Sequence, residues 1–214
     1  MEQEIINPYS KLSGLNVPRE TLLDFESYIS MILEKNVKIN LISSKLNEKN
    51  DIINRHLVDS AQIIDFVDFN CNTTTDLGSG GGLPGIVVAI LLKNMKNKMD
   101  VHLYEKSYHK SHFLEEVSEK LNLNTKVFQK NIFEIKNLET GTVMSRAFKP
   151  MPVVLDLVYE NFSKYKNLIF FMGKSGKKIF EKSKDDWSLE YIEKKSLTNE
   201  DSFLLNIKKI SKRN

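Results

Sequence analysis

Apolar residues recur at helical spacing near the start of the chain. Leu22, Phe25, Ile29, Ile32 and Leu33 follow Pro18, which suits a first helical turn. The polar run Asn36 to Asn40 breaks that stripe. A second helical pattern runs from about Glu48 to Phe66, with Ile52, Ile53, Leu57, Ile63 and Ile64 on its apolar face. No strand-like alternation precedes Asn70. The short polar segment 70–74 therefore marks a boundary between a helical module, 1–70, and a second domain, 71–214.

Beyond that boundary the pattern changes. Strand-like runs at 73–77, 100–104, 126–129, 142–145 and 168–172 alternate with helical stretches at 86–95, 107–121 and 150–163. Such alternation predicts a parallel sheet built from βαβ units. Two further apolar alternations, 188–193 and 202–210, flank a polar turn and read as an antiparallel hairpin at the sheet edge. The expected class is α/β, a Rossmann-like, mostly parallel seven-stranded sheet with an antiparallel C-terminal hairpin.

Composition narrows the function classes. The chain has 214 residues and one cysteine, Cys71, which excludes a disulfide framework and a cysteine-rich zinc site. No metal site is expected. The longest apolar run, Ile86 to Leu92, is far too short to span a bilayer. With an acidic, polar start, a soluble cytoplasmic protein is expected. The net charge of +3 does not by itself imply a nucleic-acid partner.

The strongest chemical signal is glycine-rich. Five of the nine glycines fall between Gly78 and Gly85, in the stretch Asp76-Leu77-Gly78-Ser79-Gly80-Gly81-Gly82-Leu83-Pro84-Gly85. The stretch joins an expected strand to an expected helix, where ligands bind at a sheet's carboxyl edge. The segment from Gly80 to Gly85 fits a dinucleotide pattern, and NAD stays open on that frame. The frame Asp76-x-Gly78-x-Gly80-x-Gly82 is better. It puts a carboxylate at the end of the first strand, which would repel a pyrophosphate. S-adenosylmethionine (SAM) carries a sulfonium and an ammonium and no phosphate, so electrostatics favour SAM. Glu105 ends the second strand, where an acid accepts hydrogen bonds from both ribose hydroxyls.

The chain resembles the bacterial small-subunit ribosomal RNA methyltransferase G family, once called glucose-inhibited division protein B. The resemblance rests on Asn40-Leu41-Ile42-Ser43, on Arg55-His56-Leu57-Val58-Asp59-Ser60, on Asp76 to Gly85 with its Leu-Pro-Gly ending, and on Ser145-Arg146-Ala147-Phe148. It implies a SAM-dependent methyltransferase that modifies ring nitrogen N7 of one guanosine in the 530-loop of 16S rRNA. It further implies cofactor contacts at Gly78, Leu83, Ile132, Phe133 and Arg146. Two residues depart from the family pattern. Glu105 stands where the ribose acid is usually Asp, and Phe133 stands where the adenine-facing residue is often acidic.

Guanine N7 has a free lone pair and no proton, so attack on a sulfonium methyl needs no general base. Positioning then carries the catalysis. Arg146 is the candidate catalytic residue, because its planar fork suits a carboxylate, a phosphate or a guanine edge. A structural ion pair is the competing reading. Arg55 and Asp59 are spaced as a helix pair, and Arg55 and His56 are candidates for RNA contact. Lys106 and Lys110 follow the second strand and Lys174 follows the fifth. These lysines would rim the cofactor's edge and meet RNA phosphates. The expected partner is 16S rRNA, within the small subunit or an assembly intermediate, and the expected oligomeric state is a monomer. Two alternatives stay open: a SAM enzyme with a small-molecule or protein substrate, and a dinucleotide-binding oxidoreductase or RNA-binding module.

Overall fold

The computed structural model describes Tyr9, Leu12, residues 17–43 and residues 49–213. The expected second helix start at Glu48 lies outside the described residues. Helix α1 (Arg19–Asn36) carries the first apolar stripe and buries Phe25, Tyr28, Ile29 and Ile32. The second helical pattern folds as a composite. An α-helical turn α2 (Lys49–Ile52) runs into a π-helical turn (Ile53–Leu57), then α3 (Val58–Ala61), then a 3-10 turn (Gln62–Phe66). The uniform helix expected there is thus interrupted at Arg55 and His56.

Seven strands form one sheet: β1 (Thr73–Leu77), β2 (Asp100–Tyr104), β3 (Thr125–Phe128), β5 (Thr142–Ser145), β7 (Asn167–Met172), β8 (Trp187–Lys195) and β9 (Phe203–Lys212). Their order is β3-β2-β1-β5-β7-β9-β8. The first five are mutually parallel. Strand β9 inserts antiparallel beside β7, and β8 pairs antiparallel with β9. The α/β architecture and the C-terminal hairpin follow the hydrophobic pattern, with ends displaced by at most two residues. Three elements are additional. Strands β4 (Leu138–Glu139) and β6 (Phe162–Lys164) form a small separate sheet. Helix α7 (Gly176–Asp186) buries only Gly176, Phe180 and Ser183. Its apolar stripe is too thin to stand out in a lysine-rich segment.

Strand residues alternate between two apolar layers, as the pleat requires. Val101, Leu103, Met144, Ile169 and Leu204 face one layer, packed with α1, the composite helix, α4 (Gly85–Asn94) and α5 (Tyr108–Lys120). Leu77, Tyr104, Val143, Leu168, Phe170 and Leu205 face the other, against α6 (Met151–Asn161) and α7. The N-terminal helices therefore share a core with the sheet. Helix α4 is apolar all round, with eight of its residues buried, so it is wedged between layers rather than laid on a surface.

The start of α4 leaves no spare volume. A Cβ on Gly85 would stand 2.3 Å from Leu103 Cδ2 and 2.7 Å from Asp76 Oδ2, whereas one on Gly173 would meet nothing within 4 Å. Gly85→Ala should therefore lose about 1–3 kcal/mol by overpacking, with Gly173→Ala near neutral. Urea denaturation of both checks this, and equal midpoints would contradict the packing.

Candidate active site

The carboxyl ends of the parallel strands set the site's layout. Along the order β3-β2-β1-β5-β7, the chain leaves the sheet at Ile132 and Phe133, at Glu105, at the glycine turn, at Arg146 and at Gly173 with Lys174. The turn after β1 uses left-handed backbone, with φ of 65° at Gly78, 57° at Gly80 and 95° at Gly82. Only glycine adopts such angles freely. At Gly80 the space beside the backbone is open: an added Cβ would meet only Gly78 O, at 3.8 Å.

A cavity of about 690 Å³ opens on this turn, within the usual range for ligand pockets. Its wall includes Gly78, Gly80, Leu83, Glu105, Ile132, Phe133 and Arg146, so the structure brings together seven of the expected cofactor residues. Glu105 accepts hydrogen bonds from Gly80 N–H (2.9 Å) and Ser107 N–H (2.8 Å). The acid is thereby held against the turn with lone pairs left for a ligand. Phe133 is 36% exposed and stands 6.0 Å from the Phe148 ring, centroid to centroid. Lys106, Lys110 and His56 also line this cavity.

Asp76 corrects an expectation. Its carboxylate does not face a ligand. It is 1% exposed and accepts from Gly85 N–H at 3.0 Å, so it anchors the start of α4 beneath the turn. Burial pushes its carboxyl up to about 7. From the other side, Tyr28 Oη donates to Gly81 O at 2.6 Å, and Leu41 packs on Gly81. The Asn40-Leu41-Ile42-Ser43 segment therefore serves the turn by contact.

Arg146 has four partners. Nη2 donates to Arg55 O (2.9 Å) and to His56 Nδ1 (2.8 Å), Nη1 donates to Ser60 Oγ (3.3 Å), and Nη2 lies 3.4 Å from Asp59 Oδ2. Every one of these partners belongs to the Arg55–Ser60 segment. The π turn explains how: its hydrogen bond from Val58 N–H to Ile53 O shifts the ladder by one residue, and Arg55 O turns to the guanidinium. The expected Arg55–Asp59 helix pair does not form. Arg55 lies 3.8 Å from Asp51 instead, and Asp59 goes to Arg146.

His56 is fixed by the same contact. A guanidinium only donates, so Nδ1 must accept and Nε2 must carry the hydrogen. Burial, then the Arg146 and Arg55 charges, lowers its pKa to about 4. Nε2 is buried without a partner among the described residues. Lys174 stands apart from the cavity, 85% exposed and 3.7 Å from Asp201. Residues that the sequence did not single out also line the wall, among them Tyr104, Asn131, Phe148 and Lys149. Phe148 lies in a quoted motif, yet no pattern showed that its ring packs directly on Gly78.

Fold and site together define the class of the S-adenosylmethionine-dependent methyltransferases. Two solved structures share the fold: an Aquifex aeolicus SAM-dependent methyltransferase (TM-score 0.54, 13% identity, 76% of this chain and 94% of that one) and M. capricolum TrmK in complex with S-adenosylhomocysteine (TM-score 0.50, 16% identity, 78% and 69%). The family model described as rRNA small subunit methyltransferase G matches residues 21–204. The ribosomal RNA small subunit methyltransferase G of Pelagibacter ubique is 59% identical over 99% of this chain and 100% of its own length. That of Paramagnetospirillum magneticum is 27% identical over 97% and 98%. The chain belongs to the rRNA small subunit methyltransferase G family.

Removing the guanidinium would strand Asp59, Arg55 O and His56 Nδ1 together. Arg146→Ala should therefore cost about 3 kcal/mol of stability in urea unfolding, and Arg146→Lys, which cannot reach all four partners, should recover only part of it. His56 adds a pH signature. Its folded pKa lies below its unfolded one, so its contribution to stability is complete above about pH 6.5 and is lost as pH falls toward 4. His56→Gln should flatten the stability profile in that window. An unchanged slope would show that His56 is already charged in the folded state.

Proposed function

We propose that this protein transfers a methyl group from SAM to ring nitrogen N7 of one guanosine in the 530-loop of 16S rRNA. The observation that carries the reading is a cofactor-sized cavity at the glycine turn whose wall, among the described residues, holds no imidazole with a free lone pair. Glu105 is tied to the turn, and His56 offers no lone pair to a substrate, because Arg146 takes Nδ1 and Nε2 bears a hydrogen. An N7 nucleophile needs no deprotonation, so such a site suits it.

The residues present fit the cofactor. Open backbone at Gly80 leaves room for close approach, and a carboxylate at Glu105 stands one strand away. Bound SAM supplies an electrophilic methyl on its sulfonium. Glu105 holds the ribose hydroxyls, with Gly78, Gly80 and Leu83 forming the turn around the ligand. Ile132 and Phe133 bound the end of the cavity past β3. Arg146 keeps the opposite wall in place, and Asp76 supports the turn from below. Lys106 and Lys110 take RNA phosphates at the rim, with Lys174 further along the edge and Arg55, 68% exposed, beside it. In this reading residues 1–70 form a module that closes over the turn of the 71–214 domain. The protein acts in the cytoplasm as a monomer on the small subunit or its assembly intermediate.

Two measurements test the proposal. Mapping of 7-methylguanosine in 16S rRNA from cells with and without the gene should show one site lost, and an unchanged map would refute it. Single-turnover methylation should be nearly flat between pH 6 and 9, whereas a tenfold rise per unit would reveal a general base. For the cofactor, Glu105→Ala should weaken SAM binding by about 1–3 kcal/mol in calorimetry, and an effect on RNA affinity alone would misplace the acid.

A further inference from the structure

A second, smaller cavity of about 240 Å³ lies next along the sheet edge. Asp59, Arg146, Ala147, Phe171, Met172, Gly173 and the start of β9 form its walls. It shares Arg146 and Ala147 with the cofactor cavity, so the two are neighbours across one turn of chain. That turn is strained. Ala147 has φ of 50°, a left-handed angle that is uncommon for a residue with a Cβ.

The chemistry of this cavity is specific. Asp59 Oδ1 is saturated by Gln62 Nε2 (2.7 Å), Ser196 Oγ (3.1 Å) and Thr198 Oγ1 (3.3 Å). Oδ2 has only the 3.4 Å contact with Arg146 among the described residues. Arg146 in turn uses three of its N–H groups on Arg55 O, His56 Nδ1 and Ser60 Oγ. Nε–H and one Nη1–H are uncommitted among the described residues. A donor and an acceptor with spare capacity thus stand side by side on one wall. Phe171 brings a ring against the same guanidinium, 5.5 Å from Arg146 Cζ to its centroid.

We infer that this smaller cavity receives the target base and that the Arg146–Asp59 pair selects guanine by donor-then-acceptor order. The inference rests on the methyl-transfer reading above and adds the recognition site to it. Guanine presents O6, an acceptor, next to N1–H, a donor. Arg146 answers O6 and Asp59 Oδ2 answers N1–H. Adenine presents the reverse order, N6–H₂ beside a bare N1, and would set donor against donor and lone pair against lone pair. A base reaching this depth must leave its stack, as other base-modifying enzymes require. The cavity has room for a single nucleobase, and the shared wall leaves one edge of that base beside the cofactor.

The test uses unmodified enzyme first. Once the methylated position is mapped, reconstituted subunits carry inosine, 2-aminopurine or adenosine there, and single-turnover rates are compared. Inosine keeps O6 and N1–H and should react within about tenfold of guanosine. 2-Aminopurine and adenosine keep N7 but lose the O6/N1–H pair, and should react at least about a hundredfold more slowly. Asp59→Asn, whose oxygen keeps the three donors on Oδ1 and whose NH2 then replaces Oδ2, sets a donor against guanine N1–H and should shrink that gap to about tenfold or less, with SAM affinity unchanged by calorimetry. Equal rates on guanosine and 2-aminopurine would overturn the inference, and so would an Asp59→Asn enzyme of full selectivity. Failure to methylate any guanosine would instead refute the methyl-transfer reading itself, which keeps the two outcomes apart.

Discussion

A guanidinium taken out of water must find its partners inside the protein, and the placement of Arg146 follows from that requirement. The residue sits one position past β5, where no carboxylate of the sheet edge pairs with it. Its partners come from a different part of the chain, the Arg55–Ser60 segment, which supplies a carbonyl, an imidazole nitrogen, a hydroxyl and a carboxylate. Docking of the N-terminal helices is thereby fixed in register as well as in area. Apolar burial would hold α1 and the composite helix against α4, yet it is non-directional. The polar cradle makes one seating preferable to its neighbours.

That seating reaches both ends of the site. Toward β1, it brings Tyr28 Oη and Leu41 onto Gly81, so the glycine turn is held from above while Asp76 holds it from below. Toward the C-terminal hairpin, Asp59 and Gln62 bind the β8–β9 turn at Ser196, Leu197 and Thr198. Residues separated by more than a hundred positions in the chain are thus tied through one short helical segment. The π turn is part of this design. The Arg55 carbonyl that accepts from Arg146 lies within it.

Much of this was legible in the sequence where local pattern controls structure. Alternating apolar runs placed the parallel strands and the hairpin, and the glycine cluster marked the turn, because period and backbone freedom are properties of short segments. The cavity wall gathered Glu105, Ile132, Phe133 and Arg146 as expected, since each lies at or a few residues past the carboxyl end of a strand and the strand order is set by topology. What the sequence hid depends on distance in the chain. Asp76 reads as a ligand-facing acid until the closeness of Gly85 N–H shows that it is consumed by the turn. Arg55 and Asp59 read as a helix pair until Arg146, 87 residues beyond Asp59, takes the carboxylate. Helix α7 was hidden for the opposite reason: so little of it is buried that its stripe is faint.

The division of the edge into two cavities has a chemical logic. Where a reaction transfers no proton before the bond forms, a titrating side chain near the acceptor adds only a competing nucleophile or a pH dependence. The groups between the two cavities are arranged to avoid both. Arg146 stays charged at any working pH, and His56 is kept neutral by burial and by two neighbouring guanidinium charges. With no proton transfer to supply discrimination, selection must come from the order and position of hydrogen-bonding groups. Those groups hold their positions only if their own supports are rigid. Asp59 is braced by three hydrogen bonds to Oδ1 and Arg146 by its cradle, which leaves one carboxylate oxygen and two N–H groups without a hydrogen bond among the described residues. The same contacts that seat the N-terminal helices therefore orient the recognition pair, so stability and selectivity draw on one set of bonds.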